Sequence, residues 1–129
     1  MVRYVDHDEL LQLHYEAIAR FGGLAGVRDQ AALEASLAQP QMAVFGVERF
    51  PTLIEKAAAY CYFLILNHPF FDGNKRTAVA AAVHFLLENG TAPHLDDDLM
   101  YQTVVSVASG TADMQALVDV FALACQPTQ

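Results

Sequence analysis

A chain of 129 residues, 54% of them hydrophobic, is one domain by size and buries a core without crosslinks, and its two cysteines make no disulfide framework. Seven Lys and Arg against 15 Asp and Glu give a formal charge of -8, which excludes broad attraction to nucleic acid or an anionic membrane but permits a local anion site. Met1 to Asp6 carries no apolar stretch of the secretory type, so the expected location is cytoplasmic.

Asp6 opens the first predicted helix, about Asp8 to Arg20, with Glu9 placed as in a capping box. Leu10, Leu11, Leu13, His14, Ala17, Ile18 and Phe21 supply its apolar series, and Gly22-Gly23 ends it, because glycine takes a left-handed exit readily. The connector Gly22 to Arg28 is glycine-rich but follows no predicted strand, so it reads as a simple turn rather than a nucleotide fingerprint. Asp29 starts a second helix to about Gln39, where Pro40 marks the end. Met42, Ala43, Val44, Phe45, Gly46 and Val47 have the character of a short extended piece or hairpin, with Gly46 at a turn. Such a flap either packs passively or covers a site.

Two apolar stretches follow. Leu53 to Leu66 is capped by Thr52 with Glu55, and a second helix runs from Asn74 or Lys75 to about Glu88, ended by Asn89-Gly90. Neither is long enough, uninterrupted, for a membrane span, so both belong at the centre of a domain with other helices packed around them. Asp96, Asp97 and Asp98 favour the N-terminus of a fifth helix, Leu99 to Ala108. They diverge around that helix and make a poor metal site. A sixth helix covers Asp113 to Ala124, and Pro127 leaves a short tail. The expected fold is all-α, a compact bundle of about six helices with two buried at its centre and a β-like flap, in one domain over residues 1–129.

Between the central helices stand His68-Pro69-Phe70-Phe71-Asp72-Gly73-Asn74-Lys75-Arg76-Thr77. A helix beginning after Gly73 points free backbone N–H groups out of its first turn, and Asn74, Lys75 and Arg76 add an amide and two cations, a set that binds polyphosphate. Asp72 is an oxygen ligand suited to Mg2+, and neutral His68 is a competent base near physiological pH. Each residue also has a bland reading: His68 or Asp72 as a helix cap, Lys75 and Arg76 as solvated charges, Asn74 and Thr77 serving the turn, Phe70 and Phe71 as structural anchors. Composition alone does not choose the chemistry. His7, His14, His84 and His94 form no set with zinc spacing and read as structural or surface residues. No serine sits in a G-x-S-x-G elbow.

The decapeptide resembles the signature of the Fic/Doc superfamily, in its death-on-curing toxin branch. Leu13-His14, Arg20-Phe21-Gly22-Gly23, Leu24-Ala25-Gly26 and Leu86-Leu87-Glu88-Asn89-Gly90 are also similar to that branch, so the resemblance covers nearly the whole chain. It implies His68 as general base, Phe70 as the anchor of the loop, Asp72 as the Mg2+ ligand, and Gly73, Asn74, Lys75 and Arg76 as the phosphate-binding helix start. AMP-transferring members carry a second glycine where this chain has Lys75 and a further arginine where it has Val79, and both departures point away from AMP transfer. The chain has Gly73 where the best-known Doc arrangement has alanine.

The resemblance implies a toxin of a type II toxin-antitoxin system, a kinase that uses ATP and Mg2+ to transfer the γ-phosphate to a threonine of elongation factor Tu, blocking translation. The alternatives are an AMP-transferase acting on a protein hydroxyl and a noncatalytic nucleotide- or protein-binding module. Met42 to Phe50 would line the cleft and align the protein substrate. The implied partners are elongation factor Tu and a cognate antitoxin whose tail folds on binding, with no direct nucleic acid and no membrane. The sequence carries no internal inhibitory helix of the Ser/Thr-x-x-x-Glu-Gly/Asn pattern, so inhibition would come from a separate chain.

Overall fold

The computed structural model describes residues 1–127. Its elements run α1 (His7–Phe21), α2 (Gln30–Ala38), a 3-10 turn (Gln39–Gln41), β1 (Ala43–Val44), β2 (Val47–Glu48), α3 (Leu53–Asn67), α4 (Asn74–Glu88), α5 (Asp97–Ala108) and α6 (Met114–Ala124). The end of the tail, residues 128–129, lies outside the described residues.

Five of the six α-helices start on a side-chain oxygen. Asp6 accepts from the Glu9 amide at 2.8 Å while Glu9 accepts from the Asp6 amide at 3.2 Å, which closes the capping box. Asp29, Thr52, Asp96 and Asp113 cap α2, α3, α5 and α6 in the same sense. Asp96 is the cap of α5 and Asp97 and Asp98 its first turn, so that helix begins before Leu99. Pro40 does not break the chain abruptly; it sits inside the 3-10 turn that continues from α2. The exception among the α-helices is α4, whose N-cap is Gly73 in a left-handed conformation with no side-chain acceptor.

Helices α3 and α4 lie against each other, with α2, α5 and α6 on α3 and α1 on α4. Ala57, Ala58 and Ala59 of α3 and Ala78, Ala81 and Ala82 of α4 are fully buried, and small side chains let two helix backbones approach closely. Tyr60, Leu64, Phe85, Leu86, Leu117 and Phe121 fill the surrounding space, each contributing roughly 1.5–3 kcal/mol on burial. Among the described residues, no helix is long and apolar enough to cross a membrane. Cys61 is buried and Cys125 partly so, and both are free thiols.

The segment with strand character forms a hairpin, with Ala43 opposite Glu48 and Val44 opposite Val47. Phe45 and Gly46 make its two-residue turn with φ of 51° and 78°. A hairpin this short is marginal by itself. Its base is tied down by Lys56, a fully buried lysine in the otherwise apolar run of α3. Lys56 Nζ donates to Glu48 Oε1 at 3.1 Å and to the Phe50 carbonyl. A buried ammonium needs such partners, so the flap is fixed to the core by charge as well as by Phe50 packing.

Candidate active site

The loop between α3 and α4 is built from both sides. Helix α3 ends at His68, which takes a left-handed conformation (φ 50°, ψ 53°) and turns the chain out of the helix. Phe70 then drops into the core with no exposed surface, while Phe71 stays half exposed. That corrects the reading of both phenylalanines as anchors: one points in and the next lines the cleft, with its amide donating to the Gly26 carbonyl.

Asn74 staples the loop from within. Its Oδ1 accepts from the Phe70 amide at 2.9 Å, and its Nδ2 donates to the Phe70 carbonyl at 3.0 Å and lies 3.2 Å from His68 Nδ1. The Phe70 N–H is an unambiguous donor, which fixes the orientation of the amide; Nδ2 can only donate, so neutral His68 accepts at Nδ1 and carries its proton on Nε2. Asn74 therefore holds the ring as well as the backbone.

The glycine-rich connector is more than a simple turn. Leu24 N–H donates to Asp72 Oδ2 at 2.7 Å, and Gly23 has a φ of 114°, which L side chains rarely adopt, with a Cβ there standing only 3.1 Å from the Asp72 Cβ, so this approach favours glycine. The Arg28 and Asp29 amides both donate to the Pro69 carbonyl, and the Arg28 guanidinium donates to the carbonyls of His68 and Asn67. Arg28 thereby caps the C-terminus of α3 and fixes the strained His68 backbone. Nothing in its local sequence signalled this role, which depends on a partner in a distant loop.

Beneath the loop lies His14, buried on α1. Its ring stacks on Phe70 with centroids 3.8 Å apart and planes at 8°, and its Nδ1 is 3.1 Å from Thr77 Oγ1. His14 is thus a structural histidine that supports both Phe70 and the first turn of α4. Burial holds its pKa below the ordinary 6.5, so the unfolded chain takes up the proton more readily than the folded one. Its contribution to stability is complete above pH 6.5 and is lost as the pH falls through the lower folded value. Urea midpoints measured down that range should decline in the wild type, and His14→Gln, which does not titrate, should flatten the decline.

A cleft of about 270 Å³ opens on this loop, lined by His68, Phe71, Asp72, Gly73, Asn74, Lys75 and Arg76. The structure thus brings together all the polar residues singled out in the decapeptide except Thr77. Among the described residues, the amides of Asn74, Lys75 and Arg76 have no acceptor, and neither Lys75 nor Arg76 has an acidic partner. Arg76 instead rests on the face of Phe21, 3.7 Å from the ring centroid, with its charge left over for a ligand. Asp72 Oδ2 is held by Leu24, and its other oxygen has no protein partner among the described residues. A neighbouring groove of about 800 Å³ shares Lys75 and Arg76 and is lined by Val79, Val83 and Tyr101.

Residues 4–86 match the Fic/DOC family. The chain belongs to the Fic/Doc family. It is 40% identical over 119 residues to "Toxin Doc" of Mycolicibacterium smegmatis, covering 91% of this chain and 89% of that protein. It is 33% identical over 118 residues to "Protein kinase doc" of Escherichia phage P1, covering 92% of each. Residues 68–77 lie inside the matched region, and their loop lines the cleft.

One further cluster lies outside the cleft. Glu9, His84 and Glu88 bring ligand-type atoms within 4.8 Å of one another, a set that sequence spacing alone did not suggest because Glu9 comes from α1. His84 Nε2 meets Glu9 Oε2 at 2.7 Å, and Arg3 lies 3.5 Å from Glu88. With Arg3 beside Glu88, the cluster is accounted for as a polar staple in which His84 of α4 hydrogen-bonds Glu9 of α1.

Proposed function

We propose that this Fic/Doc protein is the toxin of a type II toxin-antitoxin system and acts as a protein kinase. It would transfer the γ-phosphate of ATP to a threonine of elongation factor Tu and so block translation. The observation that carries the reading is the helix start of α4, uncapped and flanked by two unpaired cations, in one cleft with His68 and Asp72.

Each residue has a role that follows from its position. The first-turn amides of α4 with Lys75 and Arg76 bind and orient the phosphates and offset the charge that spreads over the transferred group. Asp72 is fit to hold Mg2+: one oxygen is positioned by Leu24 and the other is unspent, and a single carboxylate suffices for an ion that keeps waters and phosphate oxygens. Bound there, Mg2+ would supply charge neutralisation at the phosphate oxygens. His68 takes the proton of the threonine hydroxyl. Asn74 Nδ2 can only donate to Nδ1, which keeps the ring proton on Nε2, so the ring must leave Asn74 in the productive complex to offer a free nitrogen lone pair to the hydroxyl.

Two features favour γ-phosphate over AMP transfer. Lys75 places a side chain and a charge where AMP-transferring members have glycine, and Val79 lines the neighbouring groove rather than adding an arginine to the cleft. The exposed edges of β1 and β2 are free to align an extended acceptor segment by backbone pairing. A cognate antitoxin, with a tail that folds on binding, would inhibit by covering the cleft.

Incubation of elongation factor Tu with the protein, ATP and Mg2+, followed by mass spectrometry, tests the reading. A phosphorylated threonine supports it, and an unmodified factor sinks the substrate assignment. In the same assay Asp72→Asn should raise the Mg2+ concentration for half-maximal activity by about 10- to 100-fold while leaving the unfolding midpoint near wild type.

A further inference from the structure

Phe21 is the last residue of α1, and its ring is 52% exposed, so burial in the core gives it little to do. What it touches is positive charge. Arg76 Cζ lies 3.7 Å from the ring centroid and Arg20 Cζ 5.2 Å from it, both within the range of a cation–π interaction.

Arg76 needs such a support. Its side chain is exposed and, among the described residues, has no acidic partner, and a free arginine spreads over many rotamers. A carboxylate would order the guanidinium, but it would also cancel the charge that a phosphate requires and occupy the N–H fork that binds it. The face of an aromatic ring holds the cation without neutralising it. The ring is itself well placed for this. The Gly22 amide donates to the Ile18 carbonyl at 2.8 Å and closes the end of α1, and three residues beyond Phe21 the Leu24 amide donates to Asp72 Oδ2 at 2.7 Å. One short segment, Phe21 to Leu24, therefore holds a cation of the cleft by a ring and its carboxylate by an amide.

We propose that Phe21 is a positioning residue for phosphate binding, whose ring orients Arg76 toward the phosphates of the nucleotide at the start of α4. The role rests on the reading of that helix start as a phosphate site, and the tests below separate the two. It also makes the ring act through Arg76 and not on the nucleobase, although Phe21 lines the neighbouring groove as well.

Calorimetric titration of the whole chain, in Mg2+, with a nonhydrolysable ATP analogue and with inorganic tripolyphosphate tests the role. Phe21→Leu should weaken both ligands by about three- to tenfold with the unfolding midpoint unchanged, and Phe21→Tyr, which keeps the ring, should bind both as the wild type does. In an Arg76→Ala background Phe21→Leu should cost nothing further, the non-additivity expected when one residue acts through another. Wild-type affinity in Phe21→Leu, an equal loss in both backgrounds, a loss for the ATP analogue alone, or a Phe21→Tyr protein as weak as Phe21→Leu each overturns the role of Phe21 and leaves the phosphate site standing. Tripolyphosphate affinity unchanged by Arg76→Ala sinks the phosphate reading of Arg76, and the role of Phe21 falls with it.

Discussion

His68→Ala should lower transfer to the acceptor hydroxyl by about 100- to 10,000-fold, the range that a positioned general base contributes. The fold should survive the change. His68 is exposed, its backbone is fixed through its carbonyl by Arg28, and alanine carries the same Cβ into the left-handed position. Removal of an exposed side chain shifts stability by about 0.5 kcal/mol or less. Loss of transfer with an unchanged unfolding midpoint is therefore the expected pair of results. Retained transfer would remove His68 from the role of base. Among the described residues, the imidazole hydrogen bond to be lost is with Asn74 Nδ2, which keeps its bond to the Phe70 carbonyl, so the loop retains its internal support.

Phe70→Ala should have the opposite profile, a large loss of stability. The ring is fully buried, stacks on His14 and sits where α1, α3 and α4 converge on the loop. Truncating such a side chain costs about 3–5 kcal/mol, part from lost burial and part from the cavity left behind. Urea unfolding should show a lower midpoint with an unchanged slope, the signature of a stability change rather than a new denatured state. An unfolding midpoint equal to wild type would show that Phe70 does not anchor the loop. Activity should also fall, because the Phe70 amide and carbonyl are the two backbone groups that Asn74 holds, and His14 would lose the ring that keeps it in place beneath Gly73.

What the sequence made legible was local. Asp6 with Glu9, Asp29 and Thr52 with Glu55 announce helix starts because capping is settled within a few residues, and the alanine-rich faces of α3 and α4 announce their own burial. The hairpin turn at Phe45-Gly46 was likewise legible from Gly46 and its β-branched neighbours. What escaped was set by distant partners. Arg28 belongs to the loop of His68, Gly23 to Asp72, His14 to Phe70, and Lys56 to a hairpin whose position no spacing rule provides. The same holds for Asn74. Its place in the signature suggests a phosphate contact, whereas in the fold its side chain is occupied by Phe70 and His68, leaving its backbone amide for a ligand. Among the described residues, Lys75 and Arg76 make no ion pair, a property that only the folded arrangement of acids could reveal.

The chemistry proposed for the loop between α3 and α4 turns on which phosphorus of ATP is presented to the acceptor. Elongation factor Tu incubated with the protein, Mg2+ and ATP labelled separately at the α and γ positions decides it. Label transferred from the γ position and none from the α position is the predicted result, and label from the α position accompanied by an AMP mass increment would contradict it.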